Sequence, residues 1–400
     1  MRILVVEDDL AIRTWLKTKI ESWGYEVDAA EDGIQAFDMY QVHKQELVIT
    51  DWMMPKLDGL GLISQIRKYF GVGKTYIILI SARKEGEDLI SAVEAGADDY
   101  IVKPVQLEEL HARIIAGERI LGLERELQQK NATLEQANQQ MKQDMAVAAR
   151  IQQSFLPHVV PRFEEATFEW GLLPCDQLAG DALNVIPLDE RHVGFYVLDV
   201  SGHGVAAALL AMTLIHTLSS DKPNSTLYEA VEGDNTQYVI RPPNQVAASL
   251  NNQFPMDDII GQYFTFVYAI LDLHTGLVRY SSGGHPGPLV IDSEGEGTHH
   301  SSTGMPIGFM PDAEFGEEEI QLNKGDRLYL FSDGIPESTN KYEEQFGTGR
   351  FTRILCESLD KRDLRGSIDY LAMSAVKWNG LSPMKDDQSI LGLEINTLRK

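Results

Sequence analysis

Cysteine is nearly absent from this chain, and its scarcity removes two classes of protein at once. The two that occur in 400 residues, Cys175 and Cys356, lie far apart and form no CxxC pair, so neither a disulfide framework nor a zinc-thiolate site is expected. Positive charge is also short. Lys and Arg number 35 against 60 Asp and Glu, a formal net charge of −25, and no stretch is rich in Lys or Arg. Nucleic acid and anionic membrane surfaces both reward positive charge, so neither is expected as a partner. The acidic C-terminal part also lacks a basic recognition helix for DNA. No apolar run reaches the ~20 residues that span a bilayer, and the opening MRILVVEDD lacks the basic region and long apolar stretch of a signal peptide. A cytoplasmic protein is therefore expected. A glycine box for nucleotide is missing as well, which argues against a histidine or serine kinase.

What is present divides into three segments. The chain is long enough for two or three domains with their own cores. Residues 1–118 alternate the apolar runs RILVVE, YEVDAA, LVITD, YIILIS and DYIVKP with stretches of helical periodicity. Five strands alternating with five helices predict an α/β doubly wound fold on a parallel five-stranded sheet, whose ligands gather at the C-terminal strand ends. Polar residues fall at those ends: Asp8 and Asp9 after the first strand, Asp51 ending the third, Ser81 the fourth, and Lys103 with Pro104 the fifth. Three converging carboxylates carry too much like charge to stand alone, so a hard divalent cation is implied, and Mg²⁺ suits oxygen ligands. One carboxylate of such a set can accept a phosphoryl group while the metal and a lysine neutralise the transferring oxygens. A lone Asp8–Asp9 pair would read as a cap for the following helix; the full set at successive strand ends asks for more.

Over residues 119–156 glycine, proline and β-branched residues become scarce and a heptad emerges. Ile120, Leu127, Leu134, Met141 and Ala148 recur at one position, with Asn131, Asn138 and Met145 at the other. The pattern predicts a coiled-coil linker helix, and asparagines in its seam favour a fixed register and a parallel dimer. One long helix packed on its own domains is the alternative.

Residues 157–400 change character again. Strands VGFYVLDV, YFTFVYAILDL, LVRYSSGG, DRLYLFSDG and QSILGLEI, with apolar helical stretches near 205–219 and 364–378, predict an α+β domain dominated by antiparallel strands. Polar stretches near 220–243 and 292–303 read as loops, and the His299–His300 pair as exposed. VLDVSGHG invites a nucleophile reading through Ser201 and His203, but the residue two before Ser201 is Asp199 where the nucleophile-elbow pattern has glycine. Two residues in one tight turn are also poorly placed to reach each other, so a polar turn closing onto the next helix is the reading preferred. AGD at 179–181, VLDV at 197–200, FSDG at 331–334 and KDDQS at 385–389 each place an aspartate at a turn beside a strand. Singly these are common turn chemistry. Together they can supply one pocket with carboxylates for two hard metal ions that hold a phosphate and activate water.

On VVEDD, VITDWMMP, LISA and YIVKP, residues 1–118 resemble a response-regulator receiver domain. The resemblance implies Asp51 as the phosphorylation site, Asp8, Asp9 and the Met53 carbonyl around Mg²⁺, and Ser81 and Tyr100 as a switch pair. It also implies Lys103 on the phosphoryl group, a cis bond before Pro104, and a sensor histidine kinase or phosphotransfer protein as donor. The C-terminal segment resembles the PP2C-like serine/threonine phosphatase domain of the SpoIIE and RsbU kind. The ordered motifs are ARIQQSFLP, LAGD, VLDVSGHG, SSGGHPGPLV, GMPIG, NKGDRLYLFSDGIPES and DDQSIL. Carried over, Asp181, Asp199, Asp333 and Asp386 would bind two Mn²⁺ or Mg²⁺ ions, Asp199 bridging and the Val200 carbonyl assisting, with Asp387 able to replace Asp386. Ala179 and Asn184 depart from the family pattern, and His285 of GGHPGP reads as a structural turn. The implied fold is a PP2C-like sandwich, and the implied substrate a phosphorylated STAS-type anti-sigma factor antagonist. The implied assembly is a homodimer through residues 119–156. The rival expectation is a phosphorylation-controlled adaptor that binds a sigma factor or another regulator without catalysis; loss of metal ligands would be its mark, and here they are retained.

Overall fold

The structure, a computed structural model, describes residues 1–71, 74–82, 86–157, 161–202, 204–231, 234–256, 261–359, 361–380, 382 and 384–398, with backbone alone at 70, 86–88 and 234–236. The chain forms two compact units, Met1–Gln140 and Met141–Lys400.

In the first unit β1 (Arg2–Val6), α1 (Leu10–Ser22), β2 (Glu26–Ala30), α2 (Gly33–His43), β3 (Leu47–Asp51), α3 (Gly59–Phe70), β4 (Tyr76–Ser81), α4 (Gly86–Ala95) and β5 (Asp99–Val102) alternate, followed by the start of α5 (Leu107–Phe155). The sheet runs in the order β2-β1-β3-β4-β5 and every pair is parallel. Its central strands β1, β3 and β4 are largely apolar because both faces are covered. Successive side chains point to opposite sides: Ile3, Val5 and Ile49 pack with Leu16 and Ile20 of α1 and Leu110, Ile114 and Leu121 of α5. Leu4, Val6 and Val48 pack with Ala36 and Tyr40 of α2 and Leu62, Ile63 and Ile66 of α3. Gly59 opens α3 so close to β3 that a Cβ there would lie 2.3 Å from the Asp51 carbonyl oxygen; a side chain at this position would push the strand end away.

Helix α5 runs unbroken through the segment read as linker, and its seam residues Ile120, Leu127, Leu134 and Met141 are exposed in the single chain. Among the described residues no helix is long and apolar enough to cross a membrane.

The second unit holds the last turns of α5, then β6 (Ala166–Leu173), β7 (Ala182–Pro187), β8 (His192–Val200), α6 (Val205–Thr217), β9 (Tyr228–Val231), β10 (Asp234–Ile240), α7 (Pro243–Gln253), β11 (Phe264–Asp272) and β12 (Leu277–Gly283). There follow β13 (Leu289–Ile291), β14 (Gly297–His299), β15 (Glu318–Gln321), β16 (Arg327–Phe331), α8 (Thr348–Ser358), α9 (Leu364–Asn379) and β17 (Gln388–Ile395). Two antiparallel sheets, β15-β12-β11-β8-β7 and β14-β13-β16-β17-β6, stack face to face. Alternation along the strands builds the layers: Val193, Phe195 and Val197 of β8 meet Leu328 and Leu330 of β16 between the sheets. Tyr196 and Leu198 pack outward on α6 and α7, and Tyr329 and Phe331 outward on α8 and α9.

The polar stretch at 220–243 differs from its loop reading, since it contains the β9–β10 hairpin. His299 likewise sits on the short strand β14, with its Nε2 2.7 Å from Thr352 Oγ1. β14 is a three-residue edge strand, exposed throughout, and the hairpin's core-packed residues Tyr228, Tyr238 and Ile240 are set among polar ones, so period-2 patterning marks neither clearly.

Candidate functional site

Parallel pairing in the first unit brings the ends of β1, β3, β4 and β5 side by side, and the polar residues follow. Glu7, Asp8 and Asp51 each offer a carboxylate oxygen, all within 4.8 Å of one another. Lys103 Nζ lies 2.8 Å from Asp51 Oδ1 and 3.1 Å from Glu7 Oε2, and the Lys103–Pro104 bond is cis. Burial, then the charge of Asp51, pushes the Glu7 carboxyl above the usual range. Burial alone would lower the Lys103 pKa, but its hydrogen bonds to Asp51 and Glu7 outweigh that and raise it. Arg13 Nη1 steadies the first strand end by donating to the carbonyls of Glu7 at 2.6 Å and Asp8 at 3.0 Å.

Asp9, which the sequence reading placed in this cluster, is taken elsewhere. It is exposed and caps α1, its Oδ1 accepting from the amides of Ala11 at 2.7 Å and Ile12 at 3.0 Å. The buried Glu7 holds the place assigned to it. Residue 9 is the last before a helix, where a free carboxylate satisfies orphan amides; that signal was available in the sequence. Ser81 is buried at the end of β4, Tyr100 half-buried on β5, and Met53 follows Asp51 in the loop with its side chain exposed.

In the second unit antiparallel pairing does the same work. The start of β7 lies beside the end of β8, and the end of β16 beside the start of β17. Asp181 precedes β7, Asp199 is the penultimate residue of β8, Asp333 follows β16, and Asp386 precedes β17. The four carboxylates influence one another electrostatically. Burial, then the charges of Asp333 and Asp386, pushes Asp199 up to about 7. Burial, then Asp386 and Glu337, pushes Asp333 up to about 6. Asp181 is 2% exposed, and burial, then Asp199, raises it well above the ordinary carboxylate range, an effect the Ser389 and Ser332 hydroxyls offset only in part. Among the described residues neither of its oxygens has a partner of hydrogen-bonding geometry. A buried carboxylate without partners is costly unless a cation or proton answers it, and an all-oxygen set of this kind suits hard divalent ions. The Val200 carbonyl borders the same turn, since a Cβ on Gly180 would lie 3.1 Å from it.

The neighbouring acids Asp386 and Asp387 separate cleanly. Asp387 is buried and turned inward, its Oδ1 accepting from Cys175 N at 2.7 Å and its Oδ2 from Gly180 N at 2.6 Å and Asp181 N at 3.3 Å. Asp386 is exposed and acts on Asp333 and Asp199. Gly334 makes this approach feasible: a Cβ there would sit 1.8 Å from the Asp387 carbonyl oxygen. Asp387→Ala should therefore lower the unfolding free energy of the metal-free protein by about 3 kcal/mol, because three amides lose their acceptor. Denaturant unfolding would measure this, and an unchanged midpoint would contradict the assigned bonds.

Ser201 is occupied structurally. Its amide donates to the Tyr263 carbonyl at 2.9 Å and its hydroxyl accepts from Tyr263 N at 3.0 Å. His203 lies outside the described residues. His285 is buried with Nδ1 2.7 Å from Thr265 Oγ1, and burial pushes its imidazole down to about 3.

A parallel α/β unit with this acid and lysine cluster, joined to a sandwich with four carboxylates at one edge, defines a response regulator carrying a PP2C-like phosphatase domain. The family model for response regulator receiver domains matches residues 3–115, and that for Stage II sporulation protein E (SpoIIE) matches residues 189–396, just over half the chain. The chain belongs to the SpoIIE family. Its second unit is similar in fold to the SiaA-PP2C domain of Pseudomonas aeruginosa, at TM-score 0.53 and 19% identity over 65% of this chain and 99% of that one. The receiver is 44% identical over 113 residues to the probable transcriptional regulator ycf27 of Cyanophora paradoxa, covering 28% of this chain and 46% of that protein. It is 42% identical over 117 residues to the response regulator MprA of Mycobacterium tuberculosis, covering 29% and 50%. The chain thus spans about half the length of the curated relatives it matches.

Proposed function

We propose that this protein removes phosphate from phosphoserine or phosphothreonine of a partner protein in a metal-dependent reaction governed by phosphorylation of Asp51. The observation that carries the reading is the convergence of Asp181, Asp199, Asp333 and Asp386, with both oxygens of Asp181 buried and without a hydrogen-bond partner among the described residues. These four and the Val200 carbonyl would hold two Mn²⁺ or Mg²⁺ ions, which when bound supply an activated water and neutralise phosphoryl charge. The carboxylates themselves set the spacing of that site, and Asp387 fixes the turn that carries Asp181. No side-chain nucleophile is required, in keeping with the structural use of the Ser201 hydroxyl.

In the receiver, Asp51 would accept the phosphoryl group from a sensor histidine kinase or phosphotransfer protein, with Mg²⁺ held by Glu7, Asp8, Asp51 and the Met53 carbonyl. Lys103, already on Asp51, would pair with the new oxygens. Ser81 and Tyr100 would report the change. The exposed seam of α5 supports a homodimer through residues 119–156, and a phosphorylated STAS-type anti-sigma factor antagonist is the substrate proposed.

Phosphate release from a phosphoserine protein, with and without Mn²⁺ or Mg²⁺, tests the catalytic reading. Absence of release in folded protein at every metal concentration would transfer the proposal to a binding role. Asp51→Asn should abolish incorporation of acid-labile phosphate from acetyl phosphate. It should also make phosphatase rate and oligomeric state insensitive to beryllofluoride; a persisting response would place the control elsewhere.

A further inference from the structure

A cavity of about 260 Å³ adjoins the second carboxylate cluster and shares Asp386 with it. Glu337, Thr339, Gln345, Asn379, Lys385 and Asp386 are among the residues that line it. Asn379, the last residue of α9, is 6% exposed. Its Oδ1 is buried and has no hydrogen-bond partner among the described residues, a costly state that a ligand would relieve. The terminal torsion of an asparagine is broad, so the amide can turn either its oxygen or its nitrogen to the cavity. The end of α9 is itself held in place. The Arg350 guanidinium carbon lies 3.6 Å from the ring centroid of Trp378, whose Nε1 donates to the Glu344 carbonyl at 3.2 Å. Asn379 is thereby tied to the segment that brings Gln345 to the cavity, and the walls are set before anything binds.

The charges around the cavity narrow what it can hold. An anionic side chain would meet Glu337 and Asp386, and a cationic one would meet Lys385. An apolar one would leave the Asn379 amide unanswered. A primary carboxamide both donates and accepts, so it can pair with the Asn379 amide and accept from Lys385 or the Thr339 hydroxyl. We propose that this cavity is the subsite for a carboxamide side chain, glutamine or asparagine, next to the phosphoserine or phosphothreonine of the substrate protein, with Asn379 as its specificity-determining residue. The inference rests on the phosphatase reading above and adds the local sequence which that site prefers. Asp386 lines the cavity and its charge acts on Asp333 and Asp199, so the cavity begins where the phosphoryl group would be held. Neighbouring residues of one chain lie about 3.8 Å apart from Cα to Cα, which brings a residue flanking the phosphoserine to the cavity mouth.

Phosphoserine peptides carrying Gln, Glu, Lys or Leu at each of the two residues on either side would be assayed on the full-length protein with Mn²⁺, reading kcat/KM for each. At one of those positions Gln should exceed the other three about tenfold. The ratio should shrink to within about twofold in Asn379→Leu, which keeps the size of the side chain and loses the amide. Lys385→Met, at an exposed position, should raise acceptance of the Lys peptide relative to the Gln peptide. Ratios taken within one protein are insensitive to a general loss of activity or folded fraction. A parent protein with no preference for Gln at any position overturns the proposal, as does a Gln preference that survives Asn379→Leu undiminished. Turnover of p-nitrophenyl phosphate but of none of the peptides overturns it too, because recognition would then lie outside the flanking residues. Failure to release phosphate from the peptides and from p-nitrophenyl phosphate alike would instead sink the phosphatase reading itself.

Discussion

Asp199→Asn should reduce metal-dependent phosphate release by about a thousandfold, the loss expected when several kcal/mol of transition-state stabilisation by metal charge is removed. Burial, then the charges of Asp333 and Asp386 from the facing sheet, raises Asp199, whose own charge acts on Asp181 beside it. An amide there takes charge from the centre of the cluster. The fold should not suffer, because the substitution removes a buried carboxylate from among like charges; the metal-free melting temperature should hold or rise. Ser201→Ala provides the contrast. Its hydroxyl accepts the Tyr263 amide, so the variant should lose a little stability and keep its rate near that of the parent protein. Steady-state kinetics on the purified pair would measure both, and collapse of the rate in Ser201→Ala with Asp199→Asn active would reverse the roles assigned within VLDVSGHG.

The order of motifs made the architecture legible because both sheets are built from runs whose burial follows a simple period. Parallel strands covered on both sides read as unbroken apolar runs such as YIILIS, all buried. The two-faced strand VGFYVLDV alternates between two cores. Less legible was the direction of side chains at strand ends. In VVEDD three acids follow one another, and only the position of the α1 cap separates Asp9, which serves the helix, from Glu7, which faces Asp51. In KDDQ the two acids are chemically identical, and their opposite uses arise from amides of Cys175, Gly180 and Asp181, more than 200 residues away. The short β9–β10 hairpin and β14 carried too brief a periodic signal to stand out from the polar stretches around them.

Affinity for Mn²⁺ at the second site should fall on the order of 100- to 1000-fold between pH 8 and pH 5, because a proton must leave each raised carboxylate before a cation can bind. In the metal-free protein Asp199 is pushed up to about 7 and Asp333 up to about 6, in both cases by burial first and neighbouring carboxylates second. Below pH 7 the proton on Asp199 competes with metal, and below pH 6 that on Asp333 joins it. The same shifts set the sign for stability. Each folded-state pKa lies above the ordinary 3.8, so the contribution to metal-free stability is fully present below about pH 4 and is lost as pH rises through 6 to 7. Bound metal reverses this, since it interacts with the ionised form. The rise in melting temperature produced by saturating Mn²⁺ should therefore be large at pH 8 and small at pH 5, while the metal-free protein moves the other way. Scanning calorimetry at the two pH values, with and without Mn²⁺, reads all four quantities. A metal-induced shift of equal size at both would mean that Asp199 and Asp333 are already ionised without metal, and that their charges are answered by something other than a cation.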